Sequence, residues 1–286
     1  MTKKYTINDL PLFSPWPARL LGLESFPKKN KNKTEIEREY EKEKWGPLLE
    51  AIQKIDNVTI GQTDEIYSGH KKILYYDQGN FKLDEAYEVH KKTVHFITKT
   101  ISPYLFESNN IVELGCGYGT IILALANKNK KHHYFATEFT KSGQKIAELI
   151  AKNQKINIKI GHCDITQTPI TTMSIPTSSV IFTSCVTSLI PKLSEDFIYN
   201  MITLKPKVVI HVEPFYEHTG EEDLYSLLRR RYIEINDYNR NLLRLLEKSE
   251  AKHLIQIIRN EPNCFGSNPL FCYSIVAWRP IEKRKR

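Results

Sequence analysis

The sequence predicts an α/β protein with a parallel sheet, preceded by a largely helical region. Three observations carry this. From Asn110 onward, short apolar runs ("IVELGC", "HHYFATE", "NIKIGHCD", "VIFTSC", "KVVIHVEP") alternate with helical patterns. That β-α-β-α order calls for parallel strands joined by right-handed crossovers. Two last runs, "LIQIIRNEP" and "FCYSIVAW", flank the turn-rich "NCFGSNP" and predict an antiparallel hairpin appended to the sheet.

The elements follow in order. "SPWPARLLGLESF" (14–26) sets Ser14 and two prolines before an apolar turn, as at a helix start. "KTEIEREYEKEKWGPLLEAIQKI" (33–55) reads as a charged helix that ends or bends near Gly46-Pro47. "LDEAYEVHKKTVHFITKTISPYL" (83–105) repeats apolar residues at helical spacing and stops at Pro103. Within the sheet region, helices are expected at 119–128, 141–153 and 192–204, and a long helical stretch at 221–250. The division is a helical N-terminal lid or substrate region, 1–105, and a core, 106–286.

Composition sets the class. The 286 residues are 41% hydrophobic and 26% charged, as in a globular protein. No apolar run nears the roughly 20 residues that cross a bilayer. The first residues, "MTKKYTINDLPLF", lack the apolar core of a secretory signal, so a cytoplasmic location with no membrane partner is expected. Five scattered cysteines without CxxC spacing argue against a disulfide framework, and no metal site is expected. The net charge of +8 is concentrated in "PKKNKNK" and the tail "RPIEKRKR", a pattern that suits solubility or an acidic partner.

The stretch "IVELGCGYGT" (111–120) carries the most chemistry. Gly115 and Gly117 permit a tight turn and close approach of backbone N–H groups to a ligand at a strand's carboxyl end. The spacing is GxGxG rather than the GxGxxG of dinucleotide folds. Glu138 ends the second strand, where a carboxylate accepts from both hydroxyls of a ribose. Asp164 ends the third, where a carboxylate accepts from an adenine amino group.

Over residues 110–280 the chain resembles the class I S-adenosylmethionine-dependent methyltransferases. "VELGCGYGT" matches that family's first motif, Glu138 its ribose acid and Asp164 its adenine-binding acid. The resemblance implies a Rossmann-like methyltransferase sheet of seven strands, mostly parallel with an antiparallel C-terminal hairpin. It also implies S-adenosyl-L-methionine as cofactor and S-adenosyl-L-homocysteine as product. The cofactor residues it implies are Glu113, Gly115, Cys116, Gly117, Gly119, Glu138, Phe139, Asp164, Ile165 and Thr183.

The acceptor is narrowed by absences. "TSCVTS" stands where amino-methylating nucleic-acid enzymes carry [D/N]PP[Y/F], and Cys185 follows Ser184 rather than a proline. A small-molecule or short-peptide acceptor remains, with RNA or protein as the alternative suggested by the basic tail. A non-catalytic module that binds the cofactor is a further reading.

In "KVVIHVEPFYEH", His211 and Glu213 project to one face of a strand expected to be apolar. The expected catalytic set is His211, Glu213 and Glu217, which would hold or deprotonate a nitrogen acceptor, with Phe215 and Tyr216 shaping its pocket. Tyr76, in "YYDQGNF", is expected to reach substrate from the lid. Nitrogen methylation is thus favoured over oxygen, in the manner of specialised metabolite biosynthesis.

Overall fold

A computed structural model of the chain describes residues 4–281. The expected basic tail falls largely on 282–286, outside the described residues.

The N-terminal region opens with a 3-10 helix, Ile7–Leu12, followed by α1 (Trp16–Leu20) and α2 (Lys33–Glu37). A π-helical segment, Arg38–Trp45, leads into α3 (Gly46–Ile52). A Cβ at Gly46 would lie 2.7 Å from the Glu41 carbonyl oxygen, so the wide turn at the expected bend requires glycine. Next come α4 (Ile60–Ser68), β1 (Lys72–Asp77), β2 (Asn80–Glu85) and α5 (Ala86–Ile101). Thr59 caps α4 through a reciprocal pairing with Gln62.

Alternation then takes over as β3 (Asn110–Leu114), α6 (Thr120–Lys128), β4 (His133–Glu138), α7 (Lys141–Asn153), β5 (Ile158–His162), β6 (Val180–Ser184), α8 (Asp196–Thr203) and β7 (Val208–Glu213). The expected helical stretch at 221–250 is two helices, α9 (Leu224–Ile235) and α10 (Leu242–Ala251). The break between them holds Asn239, whose side chain accepts from the N–H groups of Asn241 and Leu242 and thereby starts α10. The hairpin β8 (Ile255–Gly266) and β9 (Tyr273–Pro280) closes the chain.

Among the described residues one sheet runs β2-β1-β8-β9-β7-β6-β3-β4-β5. The five inner-order strands β7-β6-β3-β4-β5 are parallel, and β8 and β9 are antiparallel, as expected. The expected count of seven is corrected to nine. The hairpin β1–β2, upstream of residue 105, joins the edge of β8 through Tyr76↔Gly266 and Asp77↔Phe265. Residues of α5 and α6, among them Val89, Ile97, Ile122 and Leu125, bury one face of the sheet. Residues of α8 and α10, among them Phe197, Met201 and Leu246, bury the other. No helix among the described residues is long and apolar enough to cross a membrane.

Candidate active site

The parallel strands β3, β4 and β6 deliver their carboxyl ends to a cavity of about 780 Å³. Its floor is the glycine loop. Gly115, Gly117 and Gly119 all have positive φ, at 72°, 58° and 88°. A Cβ on Gly115 would lie 2.2 Å from Val186 Cγ2, so that loop and the loop after β6 pack backbone against side chain.

Three acids line the cavity. Glu113 is buried in β3 and accepts one bond, from the Ile122 N–H at 3.2 Å. Burial pushes its pKa up to about 8. Glu138 accepts from the Gly117 N–H at 2.9 Å, the Thr140 N–H at 2.9 Å and the Thr140 hydroxyl at 2.7 Å. Burial outweighs these donors and raises its pKa. Burial also acts to raise Asp164, but the Lys33 ammonium 2.7 Å away and Thr166 hold it below the usual carboxylate value. Lys33 reaches Asp164 from α2 and also lies over the Phe139 ring.

Of the expected cofactor residues, Glu113, Gly115, Cys116, Gly117, Glu138, Phe139, Asp164 and Ile165 line the cavity together. Gly119 instead caps α6 from beneath. Thr183 faces away, toward His211.

The expected catalytic and substrate residues lie elsewhere. His211 is fully buried in β7: Trp278 Nε1–H donates to its Nε2 at 3.1 Å, and its Nδ1 lies 2.9 Å from the Thr183 hydroxyl. Burial lowers its pKa to about 3, so it is neutral and structural. Glu213 accepts from the N–H groups of Val186, Thr187 and Ser188 at 3.1–3.2 Å, which anchors the loop after β6. The period-two reading placed both side chains on the right face, but that face packs under α8. Glu217 accepts from the Arg244 N–H, and Tyr216 is held by Glu234 and Arg230. Phe215 is buried in the core on the α8 side. Tyr76 packs on Phe81 and Tyr225, beside the β1–β2 hairpin.

The chamber beyond the glycine loop is built by residues the sequence reading did not select. Tyr40, Trp45, Tyr67, Ser68, His90, Cys185 and Tyr273 line it. Trp45 stands against Gly117, where a Cβ would lie 3.1 Å from its ring. Ala86, His90, Thr93, Val94 and Ile97 of α5 all line the cavity at helical spacing. That stripe was a readable signal, because it sets a histidine and a threonine within an otherwise apolar helix face.

Residues 88–173 match the family model described as the methyltransferase small domain. No curated protein matches the chain. Among solved structures, magnesium protoporphyrin IX methyltransferase from Synechocystis PCC 6803 with bound SAH is 11% identical, with a TM-score of 0.52 over 86% of this chain and 99% of that one. The same enzyme with bound SAM is 11% identical, with a TM-score of 0.50 over 88% and 99%. Geranyl diphosphate C-methyltransferase from Streptomyces coelicolor A3(2), crystallised with Mg2+, geranyl-S-thiolodiphosphate and S-adenosyl-L-homocysteine, is 11% identical, with a TM-score of 0.47 over 69% and 78%. Architecture and the local sequence match together give this chain the class I S-adenosylmethionine-dependent methyltransferase fold.

Proposed function

We propose that the protein is an S-adenosylmethionine-dependent methyltransferase acting on a small molecule. The observation that carries this is one cavity running from an acid-lined glycine loop to an aromatic chamber. Its volume of about 780 Å³ is in the range of small-ligand sites.

The residues present fit the cofactor. Gly115 and Gly117, both at positive φ, leave bare backbone on the cavity floor. In this reading Glu138 takes the ribose hydroxyls and Asp164, with Ile165 and Thr166, the adenine. Glu113, Cys116 and Gly117 flank the methionine end. The bound cofactor supplies an activated methyl carbon on its sulfonium. The chain supplies alignment and exclusion of water, with Tyr40, Trp45 and Tyr67 closing the chamber from the N-terminal side.

The expectation of nitrogen methylation rests on the charges of Glu213 and Glu217. Neither lines the cavity, so that support is gone, and the proposal covers hydroxyl and amine acceptors alike.

Titration calorimetry with S-adenosylmethionine and S-adenosylhomocysteine tests the site. Binding is expected in the wild type and a loss of at least tenfold in Gly117→Val, whose side chain would meet Trp45. Wild-type protein that binds neither compound would remove the proposal. Transfer of labelled methyl groups into a metabolite extract, read by mass spectrometry, then identifies the acceptor.

A further inference from the structure

His90 is the titratable side chain in the α5 stripe that lines the cavity. Its Nε2 lies 3.2 Å from Asp64 Oδ1 in α4 and 3.2 Å from the Tyr118 hydroxyl. Asp64 is 5% exposed, and its charge is answered on three sides. The Tyr118 hydroxyl donates to Oδ1 at 2.8 Å, the Thr120 hydroxyl donates to Oδ2 at 3.1 Å, and the His90 ring faces Oδ1. The Tyr118 hydroxyl points its hydrogen at Asp64 and keeps it, so its oxygen meets His90 as an acceptor. Both neighbours of Nε2 therefore ask for an N–H, which leaves the lone pair on Nδ1. Among the described residues no hydrogen bond engages Nδ1.

The arrangement is tied to the glycine loop at two points, since Tyr118 and Thr120 flank Gly119. It therefore holds an imidazole in fixed orientation beside the floor of the cavity. The titratable groups facing the ring are Asp64 and Tyr67 from α4 and Tyr118 from the loop. The tyrosines and cysteines on the walls are poor bases. Burial pushes up the hydroxyls of Tyr40, Tyr67 and Tyr273 and the thiols of Cys116, Cys163 and Cys185, so all keep their protons. Glu138 is committed to three donors.

The chamber also describes its occupant. Tyr40, Trp45, Tyr67 and Tyr273 present rings that suit a flat aromatic guest. Trp45 Nε1 and Ser68 Oγ are buried without partners among the described residues, although both residues line the cavity. Unanswered donors of this kind call for oxygen acceptors on the ligand.

We propose that His90, positioned by Asp64, takes the proton from the hydroxyl of a neutral aromatic acceptor held in this chamber. The proposal rests on the methyltransferase reading above. The hydroxyl proton passes to His90 Nδ1, and the oxygen's electron pair forms the new bond to the methyl carbon. The bond from that carbon to the sulfonium breaks, with its electron pair remaining on sulfur. His90 then gives its proton to water.

4-Nitrophenol is the probe, because its phenolate is coloured and its phenol is not. Full-length protein is saturated with S-adenosylhomocysteine and titrated with the probe at a pH below the probe's own pKa. The bound probe is expected to show the phenolate band, its apparent pKa lowered by about one unit or more, a tenfold change. His90→Gln offers Asp64 a donor but cannot take a proton. It should return the bound probe to its solution behaviour, with S-adenosylhomocysteine affinity within about twofold of wild type. Asp64→Asn should reduce the shift while His90 is still present. A bound probe that titrates as in water, or a shift that survives His90→Gln, overturns the role of His90. A complex that binds S-adenosylhomocysteine but not nitrophenol overturns the aromatic hydroxyl assignment. Protein that fails to bind S-adenosylhomocysteine removes the methyltransferase reading, and this one with it.

Discussion

Glu113 and Glu213 both lie at the carboxyl ends of parallel strands, next to last in β3 and last in β7, and are both buried, yet their surroundings differ. Glu113 has a single N–H partner, and burial lifts its pKa from 4.5 to about 8. The folded protein therefore holds a proton that the unfolded chain has released. The stability Glu113 contributes is complete below about pH 4.5 and is lost as pH rises to about 8. Between those limits the ligand-free protein should weaken as pH rises, and Glu113→Gln, neutral throughout, should flatten that slope in urea melts. An unchanged slope would show that the carboxylate is charged in the fold. Glu213 meets three amides of one loop, and an amide side chain offers a single oxygen in their place. Glu213→Gln should lower stability by about 1–3 kcal/mol. Activity lost without any change in melting would return Glu213 to the chemistry. The glycine loop, Glu113, Glu138 and Asp164 were legible in the sequence because each is a local signal: a residue type at a strand's end. The stripe that carries His90 was readable too, but its partner Asp64 was not, because the bond between Asp64 and Tyr118 spans 54 positions and exists only after folding.

At the scale of elements, the segment from α2 through α3 covers the cavity, and Glu41 in its middle adds a polar tie to the core beside its buried apolar contacts. Glu41 accepts from the Ser142 N–H at 3.0 Å and the Ser142 hydroxyl at 2.7 Å, at the first turn of α7. A carboxylate is favoured there, because the exposed N–H groups of a helix start carry partial positive charge. Glu41→Ala should loosen the segment without loosening the sheet. Amide hydrogen exchange is expected to speed up over residues 31–52 and to hold steady over 255–280. Equal acceleration in both would mean that the contact serves global stability. The β1–β2 hairpin shows why one element escaped the sequence reading. Its two-residue turn is Gln78-Gly79, both left-handed, at φ 46° and 86°. Such turns are announced by Asn-Gly or Asp-Gly, and glutamine at the first position hides the signal. The flanking strands also interleave lysine and aspartate with their apolar residues, so they read as loop.

For the molecule as a whole, the expected boundary at residue 105 can be tested directly. Val89, Ile97 and Ile101 of α5 are buried in the same cluster as Ile111, Phe182 and Ile275. Each such side chain contributes about 1.5–3 kcal/mol when buried. Three of them match a large part of the roughly 5–15 kcal/mol that holds a typical domain folded. A chain begun at residue 106 should therefore show no cooperative thermal transition. A sharp transition in that fragment would establish 106–286 as an autonomous unit. The parallel order and the terminal hairpin were readable because apolar runs and turn residues repeat along the chain. Attachment of the N-terminal region to the same sheet was not, since Tyr76 and Asp77 meet Gly266 and Phe265 across most of the sequence.

Lys33 gives the proposed nucleotide pocket an unusual dependence on ionic strength. Its ammonium rests 2.7 Å from Asp164 while the side chain is 57% exposed, so dissolved salt can reach the pair. An incoming adenine that uses Asp164 must first displace this internal competitor. Screening weakens the competitor and leaves the uncharged base unaffected. S-adenosylhomocysteine should therefore bind more tightly as salt is added, by no more than a few-fold, the scale of an exposed ion pair. Lys33→Ala should show the tighter affinity from the outset and lose the salt response. In the living cell the counterion background would then set how readily the pocket exchanges spent cofactor for fresh.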